Sequence, residues 1–147
     1  MTDLAQRIDH LEARFEIADL IYSYARYIRR DEPEKVASLF LPDATFEVRD
    51  GHPDRPDYAV RSHYASSEEI NAHMAPSKGK PHPVPLIRNL IVEVDGDTAT
   101  ANCVMDAKIY GTEHGIQGEY SDHCRRVDGR WYFKSRTYTI YSGASSL

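Results

Sequence analysis

Cysteine is scarce: Cys103 and Cys124 are the only two in 147 residues. Two thiols cannot build a disulfide framework or a cysteine-rich zinc site. In a reducing compartment they are expected to be buried free thiols. Long apolar runs are missing too. Nothing approaches the roughly 18 residues of a membrane-spanning helix, so no membrane partner is expected. Residues 1–15 lack the apolar core of a signal peptide, which predicts a cytoplasmic protein. Positive charge is in the minority, with 18 Lys and Arg against 23 Asp and Glu and a formal net charge of −5. That balance leaves no broad basic footprint for nucleic acid. Neither a glycine-rich phosphate loop nor a serine nucleophile elbow occurs. His63, His73, His114 and His123 stand in unrelated local contexts. None of them pairs at helical metal-ligand spacing, so no metal site is expected. No repeat, low-complexity tract or linker divides the chain, and residues 1–147 read as one domain.

Tyrosine is in excess, with ten Tyr against four Phe and one Trp. A tyrosine ring has an apolar body and a polar tip, which suits a pocket wall or an interface as well as a core.

The apolar periodicity predicts one long helix over 3–30. Leu4, Ile8, Leu11, Phe15, Ala18, Ile21, Ala25 and Ile28 recur at spacings of three and four. Thr2 or Asp3 is placed to cap its start. Pro33 disfavours helix in the residue before it and suits the first turn of a second helix over 33–40. A short strand is expected over 45–48, then a long loop over 49–64, rich in Pro, Asp, Gly, His and Arg. Ser66 and Glu69 have capping-box spacing for a short helix ending near Met74. A further loop over 76–85 follows, and this loop–helix–loop reads as a lid or pocket rim. Beyond it the chain is all strand, over 86–94, 98–110, 117–127 and 131–141. Asp95-Gly96 and Asp128-Gly129 mark the hairpin turns.

Register arithmetic then locates a face. A two-residue turn at Asp128-Gly129 sets Cys124 opposite Phe133, Asp122 opposite Ser135 and Tyr120 opposite Thr137. A symmetric loop over 111–116 sets Cys103 opposite Cys124 and Met105 opposite Asp122. Ala99, Ala101, Cys103, Met105, Ala107 and Ile109 are then one apolar row, on the face that also carries Cys124, Trp131 and Phe133. Asp122 falls in the middle of it. A carboxylate there is either paired or held partly neutral by desolvation, which makes it the leading acid–base candidate. The Asp95-Gly96 hairpin leaves two registers open: Leu90 and Val92 inward, or Asn89 and Ile91 inward.

Three stretches carry a family likeness. The first is IADLIYSYAR (Ile17 to Arg26) followed by VASLFLPDA (Val36 to Ala44). The second is RNLIVEVDGDTA (Arg88 to Ala99). The third is Tyr120-Ser121-Asp122 with RVDGRWYF (Arg126 to Phe133) and Arg136. Together they resemble the NTF2-like superfamily, and within it the SnoaL-like group of polyketide cyclases and dehydratases. The resemblance implies an α+β cone, with N-terminal helices packed on a strongly curved, mostly antiparallel sheet around an apolar pocket. Catalytic members commonly place an Asp late in the first helix and a His before the long strand. Here those positions hold Arg29 and Pro85, and His82, three residues upstream, is the candidate replacement. Tyr24 matches a family tyrosine that polarises a substrate oxygen.

The candidate catalytic residues are therefore Asp122, His82 and Tyr24. The candidate substrate-binding residues are Tyr120, Arg29, Asn89, Met105 and Phe133. The expected activity is a cofactor-independent lyase or isomerase (dehydratase, isomerase or cyclase) acting by acid–base catalysis on a small, apolar, ring-containing ligand. Two alternatives stand beside it. One is a non-catalytic binding or assembly protein, such as a ring-hydroxylating dioxygenase β-subunit-like protein. The other is a protein whose own side chains fill its pocket. Tyr110, Tyr132, Tyr138 and Ile140 fall on the outer sheet face, which predicts a homodimer or higher homo-oligomer.

Overall fold

The computed structural model describes residues 3–52 and 55–141. Helix α1 (Leu4–Arg29) begins at Asp3, whose carboxylate accepts the Gln6 N–H at 2.8 Å, while the Gln6 side chain takes the Asp3 N–H. This reciprocal box satisfies donors that a helix start leaves free. Thr2, the other expected cap, lies outside the described residues. Ala13, Ile17, Leu20, Ile21 and Tyr24 are the buried face of α1. The expected stripe is corrected in the first half of the helix, where Leu4, Ile8, Leu11 and Phe15 are exposed. The helix carries two apolar stripes, and the 3–4 pattern follows the outward one until it drifts onto the core side at Ile21.

Asp31 ends the helix in a left-handed conformation (φ 58°), which a short polar side chain tolerates. A 3-10 helix (Pro33–Leu39) follows, in place of the expected α-helix. Strand β1 (Phe40–His52) and strand β2 (Arg55–Tyr64) form an antiparallel hairpin where a short strand and a loop were expected. The flanks pair, and the Arg49 guanidinium lies 3.9 Å from the Tyr58 ring centre. Helix α2 (Ser67–Met74) is capped by Ser66, whose hydroxyl accepts the Glu69 N–H.

Strands β3 (Pro83–Asp95), β4 (Thr98–Ile109), β5 (Gly115–Val127) and β6 (Arg130–Tyr141) complete an open six-stranded sheet in the order β2-β1-β6-β5-β4-β3. Every neighbouring pair is antiparallel except β1 with β6, so the sheet is mixed. The helices pack on one face, giving an α+β fold. Among the described residues no helix is long and apolar enough to cross a membrane.

Register moves across both C-terminal pairs, and on β6 the inward parity moves with it. Cys124 pairs with Phe133 as expected, but a bulge between His123 and Cys124 sets Asp122 opposite Arg136 rather than Ser135, and Tyr120 opposite Tyr138 rather than Thr137. Across β4–β5, Cys103 faces Tyr120 rather than Cys124. Across β4–β5 the slip is four residues and each side chain keeps its face. The β5–β6 bulge shifts the register by one, so Arg136, Tyr138 and Ile140 turn to the inner face, and the expectation of Tyr138 and Ile140 on the outer face is corrected. Ala99, Ala101, Cys103, Met105 and Ala107 are accordingly all buried. Gly96 and Asp97 form the β3–β4 turn, which puts Val92 and Val94 on the face of Ala101 and Ala99.

Candidate functional site

A cavity of about 370 Å³ opens between α1, the β1–β2 hairpin, α2 and the sheet. That volume suits a small organic molecule. Tyr24, Phe46, Pro85, Met105, Tyr120 and Tyr138 form its walls. Tyr24 is there because it lies two helical turns beyond Ile17 on the buried stripe of α1, and Tyr120 because β5 alternates inward at even positions.

The inner wall has a charged backing. Arg136 Nε lies 2.9 Å from Asp122 Oδ1, with both side chains wholly buried. That contact is an ion pair off the N–H axis; the aligned hydrogen bond runs from Nη2 to Oδ2 at 3.4 Å. Burial pushes the Asp122 carboxyl up to about 6, against the pull of Arg136. The guanidinium also stacks 3.6 Å from the Tyr120 ring centre and 4.2 Å from that of Tyr24, a cation–π arrangement. The two rings meet edge to face with their centres 5.7 Å apart. Burial pushes Tyr24 up to about 12 and Tyr120 well above its ordinary value, so both are neutral phenols. Asp122 itself does not reach the cavity. It stands behind the two tyrosines, holding the arginine.

The mouth is built differently. His82 is mostly buried and lines the cavity. Its Nδ1 lies 3.1 Å from the Pro83 carbonyl and its Nε2 3.4 Å from Asp31 Oδ1. Asp31 is aimed there by its left-handed backbone, and the Gly79 N–H donates to its carboxylate at 2.9 Å. Across the opening, His73 stacks on Tyr64 with ring centres 4.5 Å apart and its Nδ1 2.8 Å from the Tyr64 hydroxyl. Loss of water around the ring lowers the His73 imidazole below its ordinary value.

A SnoaL-like domain model matches residues 9–137. The chain belongs to the SnoaL-like family. No curated protein sequence matches it at a significant level. Solved structures show the same fold at low identity. An NTF2-like protein with a cystatin-like fold from Novosphingobium aromaticivorans is 22% identical with a TM-score of 0.75, over 99% of this chain and 95% of that one. A chain from the same organism assigned as the β subunit of an aromatic-ring-hydroxylating dioxygenase is 22% identical with a TM-score of 0.74, over 90% and 91%. Another, assigned as a scytalone dehydratase, is 20% identical with a TM-score of 0.68, over 88% and 85%.

In this SnoaL-like domain, Tyr24, Tyr120, Met105 and His82 all line the cavity. Three expected binding residues do not. Asn89 is exposed at a β3 bulge with φ 53°; the Gly96-Asp97 turn gives the register that turns it away. Phe133 is wholly buried against Phe40, with ring centres 4.9 Å apart, and belongs to the core. Arg29 is exposed outside the apolar cavity because α1 ends there and turns it to the rim. It lines two grooves, one of which shares Pro85 with the cavity lining and the other His82. Arg26 and Arg30 share the first groove and Lys80 the second. No carboxylate pairs with these three arginines among the described residues.

Sequence reasoning missed Asp31, His73 and Arg136. Asp31 reads as a helix-ending residue, and its partner His82 is 51 residues away. His73 reads as a lone histidine on a short helix. Arg136 reads only as part of the family likeness, because the bulge that brings it to Asp122 leaves no mark in the alternation. Among the described residues, no group of three or more His, Cys, Asp or Glu gathers as metal ligands would.

Proposed function

We propose that this SnoaL-like domain is a cofactor-independent lyase or isomerase that moves a proton beside a carbonyl on a small, ring-containing substrate. The observation that carries this reading is His82 on the cavity wall, with Asp31 at one ring nitrogen and a backbone carbonyl at the other. With Nδ1–H donated to the Pro83 carbonyl, Nε2 holds the lone pair. It serves as the base when it leaves its 3.4 Å contact with Asp31 Oδ1 for the substrate, with Asp31 beside the cation that results. Tyr24 and Tyr120 supply neutral hydroxyls for the oxygen that becomes anionic. Arg136 favours that charge from behind, and it acts on Tyr24 more strongly than Asp122 opposes it. The enolate then takes its proton back on another carbon, or expels a β-hydroxyl as water. Asp122 in this scheme positions Arg136 rather than touching substrate. The unpaired arginines at the rim suit a substrate with a carboxylate or similar anionic group outside the apolar cavity.

Deuterium exchange beside the carbonyl of β-tetralone, followed by NMR in heavy water, tests the chemistry. Wild-type protein should accelerate the exchange, and His82→Ala should remove about two to four powers of ten of that acceleration. β-Tetralone that binds without any accelerated exchange would point instead to a binding protein of the same fold.

A further inference from the structure

The first half of α1 presents its second apolar stripe to solvent. Leu4 is 69% exposed, Ile8 46%, Leu11 51%, Phe15 72% and Tyr22 48%. This half of the helix is anchored. Ala13 and Ile17 are buried beneath it, and Arg126 donates to Asp9 at 3.0 Å from the β5 side. A row of large apolar side chains on an anchored helix marks an interaction surface. The spacing says what kind. Leu4, Ile8, Leu11, Phe15, Ala18 and Tyr22 alternate intervals of four and three, which is the seam of a two-helix coiled coil. At 1.5 Å per residue the seam runs about 27 Å.

The flanking charges select the partner and its direction. With Ile8 and Phe15 as a positions and Leu11 and Ala18 as d positions, the g positions are Arg7 and Arg14. The e positions are Glu12 and Asp19. All four are exposed, and none has a partner among the described residues. In a parallel pair of identical helices each g residue meets the e residue five places on in the other helix. Arg7 then meets Glu12, and Arg14 meets Asp19, on both sides of the seam. An antiparallel pair would set g against g and e against e, opposing like charges. We infer that α1 pairs in parallel with α1 of a second copy of this chain, making a two-fold dimer whose domains lie on opposite sides of the helix pair. The surface is separate from the outer sheet face that carries Tyr132, and from the cavity.

Sedimentation velocity on charge variants tests this. Wild type should be a dimer. R7E/R14E alone and E12R/D19R alone should each raise the dimer dissociation constant at least about tenfold, since four pairs are reversed at once. Mixing the two variants should restore a mixed dimer, and the fourfold variant should dimerise like wild type. The positions are exposed, so the variants keep the fold, which circular dichroism would verify. Under oxidation, L4C and L11C should each cross-link to themselves, because only a parallel pair brings both positions to the two-fold axis. A monomeric wild type, a dimer indifferent to both reversals, or a failure of L4C and L11C to cross-link would each overturn the inference.

Discussion

Asp122 and Arg136 show how much one residue's role depends on its partner. The inward position of Asp122 was legible from strand parity. Its companion was not, because one bulge replaces Ser135 with Arg136. Removing the arginine alone leaves a buried carboxylate without a counter-charge, so Arg136→Met should cost roughly 3–5 kcal/mol in denaturant unfolding. The pH dependence follows from the raised carboxyl. Folding lifts Asp122 from 3.8 to about 6, so over that interval the folded state holds a proton that the unfolded state has lost. Its contribution to stability is therefore largest below pH 4 and declines as pH rises to about 6, then stays level. Melting curves of wild type against Asp122→Asn should diverge over that window, with wild type losing stability relative to the variant as pH rises. A constant difference across the window would contradict it. His82 was also legible, as the histidine nearest the family position. Asp31 was not, since a left-handed residue at a helix end carries no pattern that distinguishes it from a simple stop.

Strands were easier to read than their pairing. The four C-terminal strands follow from alternation and from Asp-Gly turns, and they stand within a few residues of where those signals place them. The β1–β2 hairpin was hidden, because Pro, Asp and Gly near its tip made the composition of the whole segment look like a loop. Gly118 is a close-approach site that no pattern discloses. It pairs with Ile140, and a Cβ there would lie 2.3 Å from the Thr139 carbonyl oxygen. Gly118→Ala should destabilise by about 1–3 kcal/mol by forcing β5 and β6 apart. At the other extreme, Ser66→Ala removes only one cap from α2 and should cost about 1 kcal/mol. Its effect on ligand binding should be greater than that suggests, since α2 carries His73 at the cavity mouth.

At the scale of the molecule, an apolar cavity opens beside a cationic rim. A ligand that binds only the folded state raises stability with the logarithm of its concentration relative to its dissociation constant, by about 2.7 kcal/mol at a hundred times that constant. Naphthoate should therefore raise the melting temperature more than naphthol at equal concentration. The triple variant R26Q/R29Q/R30Q should erase the difference while leaving the naphthol shift intact. Equal shifts from both compounds in wild type would remove the rim from the binding site without touching the cavity. The architecture itself was legible in outline, because helices followed by antiparallel strands admit few arrangements. The position of β1 was not. A parallel partner distant in sequence sends no local signal.

The pairing of β1 with β6 has a consequence for synthesis. Phe46 on β1 and Tyr138 on β6 line the ligand space from neighbouring strands, yet the whole of β3, β4 and β5 is translated between them. Until β6 leaves the ribosome, β1 has only the β2 edge to pair with. Its aromatic side chains then remain open to water. Contacts this distant in sequence form slowly and leave apolar surface exposed meanwhile. The ligand space is thus among the last parts of the molecule to exist.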